Sequence, residues 1–203
     1  MEPVIDRPAL NVSGLPTVVF RDRNVVWWGN VLYMTIEGAM FAMAVASYFY
    51  YRTRSTDWPP GVNPPALTWG IANGIVLLLS VAPARWIQLQ ARAGRLAAVR
   101  LGLLVLAGFG VASMVLRGFE FAHLNVRWDS NAYGSIVWAL IILHSGHLIT
   151  EWIETLVMIA FTVSPKMEGK RFAEIDMNSD YWFFVVFWAV AMNFVLYGTT
   201  RLL

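Results

Sequence analysis

Five mostly apolar runs, each long enough to cross a bilayer and joined by short polar connections, decide what this chain can become. The first extends from Val25 to Tyr51, and the others run from about Leu67 to Leu89, Leu96 to Leu116, Ala132 to Val163 and Tyr181 to Leu202. A hydrocarbon core about 30 Å thick takes roughly 20 residues of helix, and it offers no water to an unpaired backbone group, so runs of this length must be helical. The expected fold is therefore an all-α membrane protein, a bundle of five transmembrane helices spanning residues 25–203. The fourth run, at 1.5 Å per residue, is about 48 Å long and has to tilt, kink or project beyond the core. The connection RTRSTDWPPGVNPP carries four prolines and is excluded from helix, because proline removes a donor and biases its predecessor to extended geometry. Residues 1–24 contain Pro3, Pro8 and Pro16 and lack the basic start and apolar centre of a signal peptide, so they read as an irregular arm.

Composition narrows the function. The chain is 58% hydrophobic and 14% charged, with no cysteine, which removes disulfide and thiolate chemistry. A net charge of +2, spread over the flanks of the apolar runs, gives no surface for nucleic acid. Ten basic residues fall on one side of the predicted bundle (Arg7, Arg21, Arg23, Arg85, Arg92, Arg95, Arg100, Lys166, Lys170 and Arg171), counting the segment from Ser164 to Asp180 as a loop. Five fall on the other: Arg52, Arg54, Arg117, Arg127 and Arg201. The positive-inside rule then places the N-terminus in the cytoplasm and the C-terminus outside. Trp27, Trp28, Tyr50, Tyr51, Trp58, Trp69, Trp86, Trp128, Tyr133, Tyr181 and Trp182 cluster near the predicted helix ends and are expected as interfacial anchors.

Against this background a few polar residues stand out. Glu37 is the one charge in the run from Val25 to Tyr51, and hydrocarbon gives a carboxylate no solvation. It must take a proton, find a partner or face a protein interior, and an intramembrane carboxylate is a functional candidate for that reason. On the fourth run His144, His147, Glu151 and Glu154 fall within an arc of about 80° at 100° per residue. That face is open to metal ligation, to a proton relay, or to a polar seam against a neighbouring helix, with plain interhelical hydrogen bonding as the bland alternative. Glu120 and His123 repeat the Glu-x-x-His spacing of di-iron carboxylate bundles, but the second element needed for such a site reads His-x-x-His here.

The same residues resemble subunit III of the haem-copper terminal oxidases, the cytochrome c and quinol oxidases. The resemblance covers roughly Trp27 to the C-terminus and begins with an intramembrane glutamate followed by small and aromatic residues: Glu37-Gly38-Ala39-Met40-Phe41-Ala42, then Ser47-Tyr48-Phe49-Tyr50 and the loop motif Trp58-Pro59-Pro60-Gly61. It continues with Asn73-Gly74 and the Leu-rich stretch to Ser80, then Gly118-Phe119-Glu120-Phe121, Asp129-Ser130-Asn131-Ala132-Tyr133-Gly134-Ser135 and His144-Ser145-Gly146-His147-Leu148. These are similar to the family's Glu-aromatic, Asp-x-x-Tyr-Gly-Ser and His-Gly-x-His signatures in the same order. Three departures are visible. The last helix reads Tyr181-Trp182-Phe183-Phe184-Val185-Val186 without the family's His and Asp, the glycine between the two histidines is displaced by one position, and the second helix reads Ala84-Arg85-Trp86 where a histidine is often found.

The resemblance implies the short, five-helix bacterial form of the subunit, in the bacterial inner (plasma) membrane. It implies an accessory core subunit with no catalytic residue, metal or redox centre of its own, with haem and copper in partner subunits and phospholipid bound. Its partners would be oxidase catalytic subunit I, other oxidase subunits and membrane lipids. Its role would be to sustain proton uptake by the catalytic subunit and protect it during aerobic respiration. Glu37 matches the family's buried carboxylate, with Glu120 and Asp129 as polar supports and His144, His147 and Glu151 as polar contacts between helices. Two rivals belong beside this reading. One is an independent di-metal, oxygenase-like membrane enzyme using Glu37, Glu120, His123, His144, His147 and Glu151. The other is an accessory subunit of a nitric oxide reductase.

Overall fold

The computed structural model describes residues 19–163 and 169–202 and is helical throughout apart from its connections. Residues 1–18 of the expected arm lie outside the described residues, while Arg21–Arg23 form a single 3-10 turn. Five helices follow: α1 (Val25–Thr53), α2 (Leu67–Arg92), α3 (Leu96–Ala122), α4 (Ala132–Val163) and α5 (Gly169–Asn193). The chain then passes through a π-helical segment, Phe194–Gly198, into a terminal turn α6, Thr199–Leu202. All five spans are long and apolar enough to cross a membrane, the fifth counted from Arg171 to Arg201.

Local chemistry sets the helix ends. Asn24 caps α1 by accepting from the Val26 amide at 2.9 Å, and Asn131 accepts from the Gly134 amide at 2.8 Å at the start of α4. α2 and α3 are joined by a tight turn in which Gly94 takes φ +66°, a left-handed value that a side chain would strain. α5 is the hub, packed on α1, α2 and α4, while α3 bridges α2 and α4 and α1 holds to α4 and α5 at the edge. Small residues let these helices approach. At Gly110 a Cβ would collide with the Trp152 ring, and that ring is seated by its Nε1–H, which donates to the Ala107 carbonyl of α3 at 3.0 Å.

Three sequence expectations need correction. The segment from Ser164 to Asp180 is not a loop in its described part, because α5 begins at Gly169, twelve residues before the apolar run. Its polar residues have partners inside the bundle. Asp176 and Ser179 are fully buried, Arg92 of α2 donates through Nε to Asp176 Oδ1 at 2.9 Å, and Gln88 donates to Asp180 Oδ1 at 2.6 Å. Arg117 is not a loop cation either. It lies within α3 with only 5% of its surface exposed, so the count on that side of the bundle falls from five to four basic residues, Arg52, Arg54, Arg127 and Arg201. Finally, Tyr133, Tyr181 and Trp182 are buried rather than interfacial, whereas Trp28, Tyr50, Tyr51 and Trp128 are exposed near helix ends as anchors should be. Trp182, wholly inaccessible, donates its Nε1–H to Ser80 Oγ of α2 at 2.7 Å.

Candidate functional site

The polar side chains of the bundle fall into two neighbouring networks. In the first, Glu37 sits midway along α1, 7% exposed, and turns inward to α4 and α5. The hydroxyl of Tyr181 in α5 donates to its Oε2 at 2.5 Å, and Nε2 of His147 in α4 lies 3.4 Å from its Oε1. Phe41, one turn along α1, stacks on Trp188 with ring centroids 4.8 Å apart and leans on His147 at the same distance, closing the site from one side.

Hydrogen-bond geometry constrains the tautomer of His147. His147 Nδ1 lies 2.7 Å from the carbonyl of Leu143. A carbonyl can only accept, so the Nδ1 hydrogen is committed there and a neutral ring presents a bare lone pair at Nε2. Two acceptors would then face each other unless a proton lies between them, either on Glu37 or on Nε2. Glu37 and His147 thus stand as a carboxyl group and an imidazole nitrogen within ion-pair distance, where a proton between them would leave the pair neutral overall and avoid an unpaired buried charge.

The second network lies near the C-terminal end of α3 and one turn away along α4. Arg117 Nη1 donates to Glu120 Oε2 at 2.7 Å, one turn along α3, and Nη2 donates to His144 Nδ1 at 3.0 Å. Tyr197, in the π-helical segment, donates its hydroxyl to the other oxygen of Glu120 at 2.5 Å. His144 is completely buried, and its Nε2 lies 3.0 Å from the Val185 carbonyl of α5. Since arginine can only donate and a carbonyl can only accept, His144 is the neutral tautomer with its hydrogen on Nε2. One imidazole and one carboxylate therefore tie α3, α4 and the end of α5 together around a buried guanidinium.

The remaining sequence candidates are placed differently. Glu151 is fully buried and accepts from Asn178 Nδ2 of α5 at 2.7 Å, while its other oxygen has no hydrogen-bond partner. Glu154, a turn further on, is exposed in a groove between α1, α4 and α5. Asp129 is not a contact between helices. It lies exposed in the α3–α4 connection and receives a two-point grip from Arg127, at 3.0 and 2.9 Å, and these hydrogen bonds hold its carboxyl below the usual carboxylate range. His123 caps α3 at the surface, beside the Trp69 ring. The six residues of the di-metal alternative are thus dispersed over four places, and among the described residues no three of His, Asp and Glu gather as a ligand set. Sequence reasoning missed Arg117, Tyr181, Tyr197 and Asn178. The Arg-x-x-Glu spacing of Arg117 and Glu120 was the available signal for the first of these.

No family model matches the chain. Over 123 residues, 60% of its length, it is 26% identical to the cytochrome c oxidase subunit 3 of Synechocystis sp.. The chain is similar to an oxidase subunit. It spans about half the length of that curated relative, 52%.

Proposed function

We propose that this chain is an accessory core subunit, of the subunit III type, in a haem-copper terminal oxidase of a bacterial plasma membrane. One observation carries the reading: residues from two separate signatures of that family, Glu37 in the first helix and His147 in the His-x-x-His pair of the fourth, meet in space with Oε1 and Nε2 3.4 Å apart. The other histidine of the pair, His144, meets Glu120 of a third signature through Arg117. Motifs that converge in the fold as well as in order are hard to attribute to hydrophobic composition, and the likeness to an oxidase subunit 3 supports the same assignment.

In this role the chain carries no redox centre. Haem and copper belong to catalytic subunit I, against which it packs together with lipids, and the Glu37–His147 unit supports proton uptake there. The N-terminus faces the cytoplasm, a placement supported by the ten-to-four basic count once Arg117 is assigned to the interior. Isolation of the tagged chain from its own membranes in mild detergent tests the proposal. Haem-bearing oxidase subunits should accompany it. A nitric oxide reductase in their place would transfer the accessory role to that enzyme, and a chain that purifies alone would overturn the assignment.

A further inference from the structure

Between α1, α4 and the start of α5 lies a groove of about 540 Å³ that neither network explains. Its walls are amphipathic. Gly29, Asn30 and Tyr33 come from α1, Glu154 and Met158 from α4, and the Arg171–Glu174 ion pair from α5 stands at its rim. At about 30 Å³ per molecule, the volume has room for more than ten waters. Tyr181 forms part of the lining, and the Tyr181 hydroxyl is the group bonded to Glu37. The rings of Tyr33 and Tyr181 stack at 5.8 Å, so the inner end of the groove and the candidate site share a wall.

We propose that this groove is a water-filled entry through which protons exchange between the helix-end surface and the Glu37–His147 unit. The inference concerns this chain alone and deepens the functional reading by giving its central carboxyl a route to solvent.

The spacing of groups supports the route. On α4, Glu154, Glu151 and His147 descend along one face at intervals of three and four residues, about 4.5 and 6 Å at 1.5 Å per residue. On α1, Tyr33 lies one turn from Glu37, and from α5 Arg171, Glu174 and Tyr181 line the groove in turn. Glu151 has an unpartnered carboxyl oxygen although fully buried, a position that a water entering from beside Glu154 would satisfy. Exchange needs no net charge to enter the bundle: one proton passes from water to the pair as one leaves it for water, and the charge of the pair is unchanged.

The absence of cysteine from the chain makes a direct test possible. Single cysteines at Tyr33, Met158 and Glu154 are compared with cysteines at Leu32 and Ile36, which are exposed on α1 but outside the groove, in the intact complex in its membrane. A charged methanethiosulfonate that cannot cross the bilayer reacts only with a thiolate in water, so the groove positions should label at least about tenfold faster than the two controls, and from one side of the membrane. Equal rates at groove and control positions would mean that lipid fills the groove and would overturn the proposal. A second measurement reads the proton itself. Gly29→Trp is the plug, since a side chain there meets no atom within 4 Å at its Cβ. It should slow deuterium exchange of the Glu37 signal, identified by its loss in Glu37→Gln, whereas Leu32→Trp should not. Unchanged exchange in the plugged protein would refute the route. Both readouts are independent of the partner, so the groove can fail while the oxidase assignment stands, and the reverse.

Discussion

Replacing Glu120 by leucine removes the carboxylate that holds a guanidinium whose side chain is only 7% exposed, at 2.7 Å. Breaking one side of a buried pair leaves the other charge uncompensated, and the expected loss is about 3–5 kcal/mol, far more than the pair contributes relative to an apolar replacement. The Tyr197 hydroxyl loses its acceptor in the same change, which places the effect at the upper end of that range. Arg117→Leu strands the carboxylate and also strips His144 of its Nδ1 donor. The double substitution Arg117→Leu with Glu120→Leu removes both charges together. It should therefore be less damaging than the sum of the two single changes, with a coupling of about 2–3 kcal/mol. Unfolding of the detergent-solubilised chain by increasing sodium dodecyl sulfate, followed by tryptophan emission, gives the three free energies. The exposed pair Arg127 and Asp129 serves as the control and should show a much smaller coupling, because solvent screens it. A coupling below about 0.5 kcal/mol for Arg117 and Glu120 would refute the reasoning, because contacting groups in one buried network do not behave additively.

Glu37→Gln should preserve assembly, since an amide can accept from Tyr181 and donate to His147, whereas Glu37→Ala should lose about 1–3 kcal/mol in the same assay by leaving the tyrosine hydroxyl unpaired. His144→Ala should loosen packing by about 1 kcal/mol, the usual scale of interhelical polar contacts, and complete loss of partner activity in an intact complex would contradict its structural role. Gly134→Ala should prevent folding, because its Cβ would strike the backbone carbonyl of Arg127, while Gly146→Ala, with nothing near its Cβ, should gain roughly 0.5–1 kcal/mol; expression and unfolding midpoints separate the two. Asp129 has a lowered folded pKa, so its contribution is present above the ordinary carboxylate range and disappears as pH falls through the folded value. Carboxyl titration followed by NMR should show that depression vanish in Arg127→Gln.

The spans were legible because hydrocarbon allows a chain few options. α4 runs from Ala132 to Val163, the limits of its apolar run, and α1, α2 and α3 begin where their runs begin and continue two, three and six residues beyond them. The start of α5 was not legible, since Glu174, Asp176, Asn178, Ser179 and Asp180 have the composition of a loop. What makes several of them helical core is the arrival of Arg92, Gln88, Trp27 and Glu151 from three other helices, which hydropathy cannot register. Arg117 was hidden for a similar reason, lying one residue beyond an apolar run where cations usually mark a loop. Glu37 was identified from its isolation in the sequence, but its partners came from α4 and α5, more than a hundred residues away. The π-helical segment that presents Tyr197 to Glu120 left no mark in the residue pattern.

The central claim is that this chain serves a metal-bearing partner without holding the metal itself, and the distribution of metal after dissociation tests it most directly. The complex isolated through this subunit is separated into its components, and iron, copper and haem are measured in each fraction. The account predicts that all three remain with the partner fraction and that the separated chain carries none. Stoichiometric iron or copper retained by the chain, and lost on substitution of His144 and His147, would contradict it.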